Sequence, residues 1–314
     1  MPTVLITGGS GLIGQNLTSH LISKGYEVII LSRKLHTDIQ KPQISYAVWN
    51  IEEQQIDITA VVKADYIIHL AGAGVMDKRW TKKYKEQIVG SRTKSSQLLI
   101  KALKENTNKV KAVVSASAIG WYGQNRFRSL SGGEEFTESD KANTDFLGNT
   151  CRIWEESIEP VTSIGKRLVK LRLGIVLSNN GGAFVEFKKP MRFGIAGILG
   201  NGKQIISWVH IDDICRMFIY AIENENLSGS YNAVSPEPVS NKELIIRTAE
   251  LLRKTFYIPV YVPKFFLKLI LGERSIEVLK NATVSCKKIK SEGFTFLYPS
   301  IDAALRQLTS PSAP

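Results

Sequence analysis

Residues 7–14 read TGGSGLIG, and no other stretch constrains the chain so strongly. The segment follows TVLITG at 3–8, a continuous apolar run of the kind a strand needs when both its faces are buried. It opens LIGQNLTSHLISK at 12–24, which places Leu12, Ile13, Leu17, Leu21 and Ile22 on one helical face before a cap at Gly25. Glycines at 8, 11 and 14, between strand and helix, permit three things. The chain can turn tightly, backbone N–H groups can approach a pyrophosphate, and helix can pack closely on strand. The segment therefore reads as a dinucleotide cradle, with Gly8, Ser10, Gly11, Leu12 and Ile13 against the ligand.

The first half of the chain keeps alternating strand and helix. Strands are expected at 26–33, 64–72, 111–117 and 167–177, with a helix at 80–106 and another beginning near 145. Such alternation implies an α/β fold with a doubly wound, parallel Rossmann sheet. Later segments are less regular. Residues 181–214 mix glycines, aromatics and short strands. A helix at 211–224 and a strand at 230–234 are expected to return to the sheet. Beyond them the expectation is a helix at 240–254, a strand at 258–262, an apolar helix at 264–271 packed on the body, and a final helix at 300–308. The division read from this pattern is a Rossmann domain over 1–177 and a smaller α/β substrate-side part over 178–314.

The second strand ends in LSRK at 31–34. Sites for NAD usually place a carboxylate there, to bond the ribose hydroxyls. Here Ser32 can donate a hydroxyl bond, and Arg33 can fork onto a 2′-phosphate or stack on adenine. That pattern favours NADP. In HLAGAG at 69–74, the small residues after the strand avoid bulk where a dinucleotide backbone passes, so Leu70, Ala71 and Gly72 are expected to line it.

Composition narrows the remaining classes. No stretch approaches the roughly 20 apolar residues of a membrane helix, and MPTVLITGG reads as a first strand, not a leader. Cys151, Cys215 and Cys286 are far apart with no CxxC pair, which argues against a disulfide framework or a zinc site and for a reducing cytoplasm. The net charge of +12 is spread along the chain. It suggests a solvated basic surface suited to an anionic small-molecule substrate, with neither nucleic acid nor membrane as partner. The densest basic run lies at 77–94, where Lys78 and Arg79 could meet such a substrate and Lys82, Lys83 and Lys85 belong to a solvated face.

The pieces TGGSGLIG, HLAG, VSASAIGWYG, LRLGIVL and WVHIDDI, in this order, resemble the extended short-chain dehydrogenase/reductase superfamily. More closely, DKRW, GSR, WYG, CRIWE, ISWVHIDDI, YNAVSPEPVSN and EGFTFLYPSIDAAL resemble its atypical sugar-nucleotide epimerase subgroup, of the NAD-dependent epimerase/dehydratase superfamily, with a characteristic carboxy-terminal extension. This resemblance implies a Rossmann domain holding NADP, a smaller part closing a substrate cleft, and Gln87 and Arg92 facing the cofactor.

Most members of that superfamily carry Tyr and Lys four residues apart at the start of the helix beginning here near 145. One helical turn puts them on the same face, where the phenol exchanges a proton with substrate. Alignment on Glu155 puts Leu147 and Cys151 in their places. Leu147 cannot transfer a proton, and Cys151 reads as a small apolar filler. Other donors must then serve: Ser117, ending a strand beside Ser115, and Tyr122 in WYG, with His210 a weaker choice and Asp212 and Asp213 read as helix caps. The polar segment 123–146 could order over the cleft. Two functions follow. One is an NADP-dependent oxidoreductase or epimerase acting on a carbonyl or hydroxyl substrate; the other is a non-catalytic NADP-binding sensor or scaffold.

Overall fold

A computed structural model of the chain describes residues 1–34, 42–124, 135–253 and 256–310. Its first strand, Thr3–Thr7, is buried at every position, as the unbroken apolar run requires. Eight strands form one sheet in the spatial order Gly229–Ala233, Arg167–Leu173, Ala112–Ala118, Tyr66–His69, Thr3–Thr7, Glu27–Ser32, Ile44–Asn50 and Gln55–Ile56. The pairings from Ala112–Ala118 through to Ile44–Asn50 are parallel, and the last, short strand is antiparallel. From Thr3–Thr7 the chain steps one way to Glu27–Ser32 and Ile44–Asn50, then crosses back to Tyr66–His69 on the other side. This reversal makes a switch point beside Thr7 and His69, the place where doubly wound sheets bind ligands.

The chain divides into two compact units. The first holds 1–121, 142–172 and 214–231; the second holds 122–141, 173–213 and 232–314. In the first, Leu5, Ile29, Leu31, Ile67 and Val113 of the sheet pack with Leu98, Leu99, Ala102 and Leu103 of the helix Lys82–Glu105. Alternation sends Val4, Ile6, Val28, Ile30 and Ile68 to the opposite face, where they are also buried. In the second unit, Leu177, Phe184, Trp208 and Leu244 share a core with Ile301, Ala304, Leu305 and Leu308 of the terminal helix.

Three local features differ from the sequence reading. The run 167–177 is not one strand, because it breaks at Gly174. A side chain at Gly174 would sit 2.8 Å from the Ser207 carbonyl oxygen and from Val234. The chain bends there, and Ile175–Leu177 leaves the large sheet to pair with Trp208–His210. The strand Ile44–Asn50 has no counterpart in the sequence reading, since its half-exposed positions interrupt the apolar run that marks buried strands. The apolar helix Lys264–Leu271 does not bury its apolar residues on the body: only Leu267 is buried, while Phe265 and Leu269 are 71% and 70% exposed. Of segment 123–146, residues 125–134 lie outside the described residues, as does the tail 311–314. No described helix is long and apolar enough to cross a membrane.

Candidate functional site

The turn after the first strand is built from backbone, and at Gly8 and Gly14 it leaves no room for a side chain. Gly8 has φ +70°, and a Cβ there would lie 2.9 Å from the Leu70 carbonyl carbon. At Gly14 a Cβ would lie 2.5 Å from the Gly8 oxygen, so only glycine lets the helix start this close to the strand. Gly8 and Leu70 thus meet across the switch point. Gly11 is the N-cap of the helix Leu12–Ser23 and supplies no side-chain cap. Leu12 and Ile13 occupy the first turn, half-buried, and Ser10 is exposed. The first-turn N–H groups of an uncapped helix favour an anion. The cradle therefore fits a pyrophosphate on the structure's own terms.

A buried pair that sequence reasoning missed locks the other wall. Thr7 Oγ1 accepts from the N–H groups of Leu70 and Ala71, each at 3.1 Å, and lies 2.7 Å from His69 Nδ1. Since the hydroxyl accepts two bonds, its proton goes to His69 Nδ1, leaving the other ring nitrogen to donate to Ser96 Oγ at 3.2 Å. Burial, helped by the nearby Arg92 charge, lowers the His69 pKa to about 3. The ring is thus neutral. Its HL dipeptide gave the signal, but only the fold brings Thr7 to it.

Ser32 ends the second strand, with its Oγ accepting from the Lys34 N–H at 3.3 Å, and Arg33 is exposed beyond it. Gln87 is exposed on the helix Lys82–Glu105. Arg92, from the same helix, reaches back toward Gly72: a Cβ there would be 2.9 Å from the Arg92 guanidinium carbon. Its Nη1 donates to the carbonyls of Ala73 and Ile88 at 3.0 and 2.9 Å, and the guanidinium lies 4.7 Å over the Trp154 ring. Burial pushes its pKa down, opposed by Cys151 and Tyr84. Lys85, read as solvated, instead lies over the rings of Phe146 and Trp80.

The helix Phe146–Ile158 begins as its sequence suggests, with Asp145 accepting from the Gly148 N–H at 2.7 Å. Leu147 and Cys151 are buried on it, and a side chain at Gly120 would sit 3.3 Å from Cys151 Sγ. Ser117 is 1% exposed and donates to Glu155 Oε1 at 2.7 Å. Arg172, 3% exposed, donates to both oxygens of Glu155, at 2.8 and 3.1 Å, and Ser230 adds a further bond at 3.1 Å. Trp121 lies face-on to Arg172, 3.7 Å from its guanidinium carbon. Glu155 lies on the buried face of the helix Phe146–Ile158. It is the centre of this buried network.

Tyr122 falls in the second unit and is wholly buried. Its phenol donates to Asn232 Oδ1 at 2.7 Å, and its ring stacks on Phe136, with centroids 5.0 Å apart. A phenol so enclosed can give its proton to a substrate only if that bond opens. The WVHIDD motif likewise turns inward. His210 Nδ1 accepts from the Asp212 N–H at 3.1 Å, and Nε2 donates to Gln307 Oε1 at 3.0 Å. Burial, outweighing Asp212, lowers its pKa and keeps it neutral. Asp213, in the first turn of the helix Ile211–Glu223, has a carboxylate that accepts from the N–H groups of Leu297 and Tyr298 at 2.7 and 2.8 Å. Together they pin the carboxy-terminal segment. No described cluster of three or more His, Cys, Asp or Glu could hold a metal ion.

Comparison with known proteins agrees with this architecture. Residues 4–146 match the NAD dependent epimerase/dehydratase family, and residues 262–308 match a domain of unknown function, DUF1731. Epimerase family protein YfhF of Bacillus subtilis is 33% identical over 305 residues, 97% of this chain and 97% of its own length. Epimerase family protein SSP1921 of Staphylococcus saprophyticus is 34% identical over 309 residues, 98% of this chain and 99% of its own. The solved structure of the human epimerase family protein SDR39U1 with NADPH has a TM-score of 0.84 at 28% identity, over 98% of this chain and 99% of that one. UDP-glucose 4-epimerase of Thermotoga maritima, at 19% identity and a TM-score of 0.78, shares the fold. This chain belongs to the NAD-dependent epimerase/dehydratase family, among the epimerase family proteins that carry a carboxy-terminal DUF1731 domain.

Proposed function

We propose that this protein is an NADP-dependent oxidoreductase or epimerase acting on a small substrate that bears a hydroxyl or carbonyl group, a nucleotide sugar being the leading class. The observation that carries the proposal is the glycine turn at 8–14, open to a pyrophosphate, beside a second strand that ends in Ser32 and Arg33 with no carboxylate. The NADPH of the human relative supports the same cofactor. Backbone N–H groups of Leu12 and Ile13 would hold the pyrophosphate, with Gly8, Ser10 and Gly11 shaping the turn, where the Gly11 N–H donates to the Gly8 carbonyl at 3.0 Å. Arg33 and Ser32 would hold the 2′-phosphate. Leu70, Ala71 and Gly72 would line the dinucleotide, with Gln87 and Arg92 toward it. When bound, the nicotinamide supplies hydride exchange with a carbon bearing oxygen.

Ser117 is the favoured proton-transfer residue, and because it is 1% exposed, a substrate reaches it only if the packing around it opens. Its hydroxyl proton is committed to Glu155, so its oxygen is left to accept from a substrate hydroxyl, and a proton taken there can pass on to the carboxylate. Arg172 fixes that carboxylate in place. Tyr122 is a second donor, active only if it releases Asn232. A non-catalytic NADP-binding role is the alternative, favoured by Leu147 and Cys151 at the positions of the usual pair.

Titration with NADPH and NADH tests the cofactor. Arg33→Gln should weaken NADPH about tenfold or more, as loss of a charge-assisted bond implies, and leave NADH nearly unchanged. Equal weakening of both would remove Arg33 from the phosphate. Turnover on a panel of nucleotide sugars and small carbonyl compounds, followed by nicotinamide absorbance, separates enzyme from sensor. Ser117→Ala should abolish that turnover with NADPH binding intact. Tyr122→Phe with full activity would exclude the phenol.

A further inference from the structure

The second unit holds a cavity of about 490 Å3 that none of the chemistry above uses. It is bordered by the helices Ala183–Met191 and Asn241–Arg253. Its size is that of a small-molecule site. One part of its wall is apolar: Val185, Met191 and Leu252. The other is cationic: Lys188, Arg192 and Arg253, with no Asp or Glu in the lining.

The three cations differ in what already occupies them. Arg253 is committed: its Nε donates to the Met191 carbonyl at 2.7 Å and its Nη2 to the Arg192 carbonyl, capping the end of the helix Ala183–Met191. Lys188 donates to the neutral Asn179 Oδ1 at 2.5 Å and lies 4.7 Å over the Phe184 ring. Arg192 is exposed. Among the described residues neither Lys188 nor Arg192 has a carboxylate within ion-pairing distance. The carboxylate nearest in sequence, Glu186, is held by Lys189 through both oxygens at 2.7 Å. Burial, then the charge of Arg192, pushes the Lys188 pKa down. Two like charges are thus held together at a partly apolar wall. An anion placed between them would relieve their repulsion, and a group that is only charged would leave the apolar wall wet.

We propose that this cavity binds a small amphiphilic anion, its carboxylate or phosphate head between Lys188 and Arg192 and its apolar part on Val185, Met191 and Leu252. The site is separate from the dinucleotide cradle and does not depend on the cofactor reading.

The test is calorimetric titration of the full chain, saturated with NADPH, with decanoate, decyl phosphate, decanol and decyltrimethylammonium below their micelle thresholds. At least one of the two anions should bind about tenfold or more tightly than decanol, and the cation should not bind. Their ratio identifies the head. Lys188→Gln/Arg192→Gln should lose about tenfold or more of anion binding, whereas Lys82→Gln/Lys83→Gln, with the same change in net charge, should lose none. If the double variant melts early, Arg192→Gln alone, at an exposed position, carries the test. Equal binding of decanol and the anions would overturn the proposal. So would equal loss in both charge variants, or anion binding that appears only when NADPH is withheld.

Discussion

The glycine turn at 8–14 and the helix Phe146–Ile158 stand at the same sheet and differ in what fixes them: backbone geometry in the turn, side chains on the helix. The turn keeps every feature a dinucleotide cradle requires, because each is a demand on the backbone: a positive φ at Gly8, and a 2.5 Å approach at Gly14 that any Cβ would block. The helix has its cap and its buried face, with Leu147 and Cys151 buried on it at the positions where the resemblance to the wider superfamily leads one to expect a Tyr and a Lys. Holding a ligand and transforming it are thus separable here. Binding geometry is distributed over a turn and is hard to lose piecemeal. Proton transfer rests on one or two side-chain tips, and these can be exchanged without disturbing the helix that carries them.

That contrast can be broken experimentally, and the largest effect is expected at the turn. Gly14→Val should lose more than about a hundredfold in NADPH affinity and unfold earlier, since its side chain meets the Gly8 and Gly9 backbone with nowhere to move. Wild-type affinity in that variant would mean that the cradle is not where the cofactor sits. Next is Glu155→Gln, which leaves the buried Arg172 guanidinium without its charge partner. A cost of about 3–5 kcal/mol is expected from denaturant unfolding. A cost near zero would show that the network is not a stabilising element of the helix side.

Acid sensitivity should come next in size. His69 and His210 are neutral in the folded protein, their pKa values lowered from 6.5 by burial, that of His69 to about 3. The unfolded chain takes up protons below about 6.5 and the folded chain does not. Stability is therefore full above that pH and falls as the pH drops toward 3, by about 1.4 kcal/mol per pH unit for His69, and His210 acts in the same direction. His69→Gln should flatten that slope when unfolding is followed from pH 7 to pH 5; an unchanged slope would place the titration elsewhere. The smallest effect belongs to Cys151→Ala. Filling space beside Gly120 is worth about 1 kcal/mol, and NADPH binding and turnover should persist. Loss of turnover alone would make the thiol a participant, and the helix would then have moved its chemistry, not shed it.

Much of the fold was legible because its signals are local. The run 3–8, the amphipathic 12–24 and the glycines between them announce strand, turn and helix within 25 residues. The strand Ile44–Asn50, next to the short edge strand Gln55–Ile56, was not legible, because its half-exposed faces break the apolar run. The break at Gly174 was hidden for another reason: the atoms that force it belong to Ser207 and Val234.

At the site, sequence alone determined the glycine turn between the first strand and helix and the cation that follows the second strand, since both follow from residues adjacent along the chain. Only the tertiary structure decided what the polar side chains do. Glu155 is matched by Arg172, Tyr122 by Asn232 and Asp213 by the Leu297 and Tyr298 backbone, across separations of 17, 110, 84 and 85 residues. A hydroxyl or carboxylate has the same donors and acceptors wherever it stands. Whether it faces a substrate or pins a segment depends on the partner that folding brings to it, and no local pattern encodes that partner.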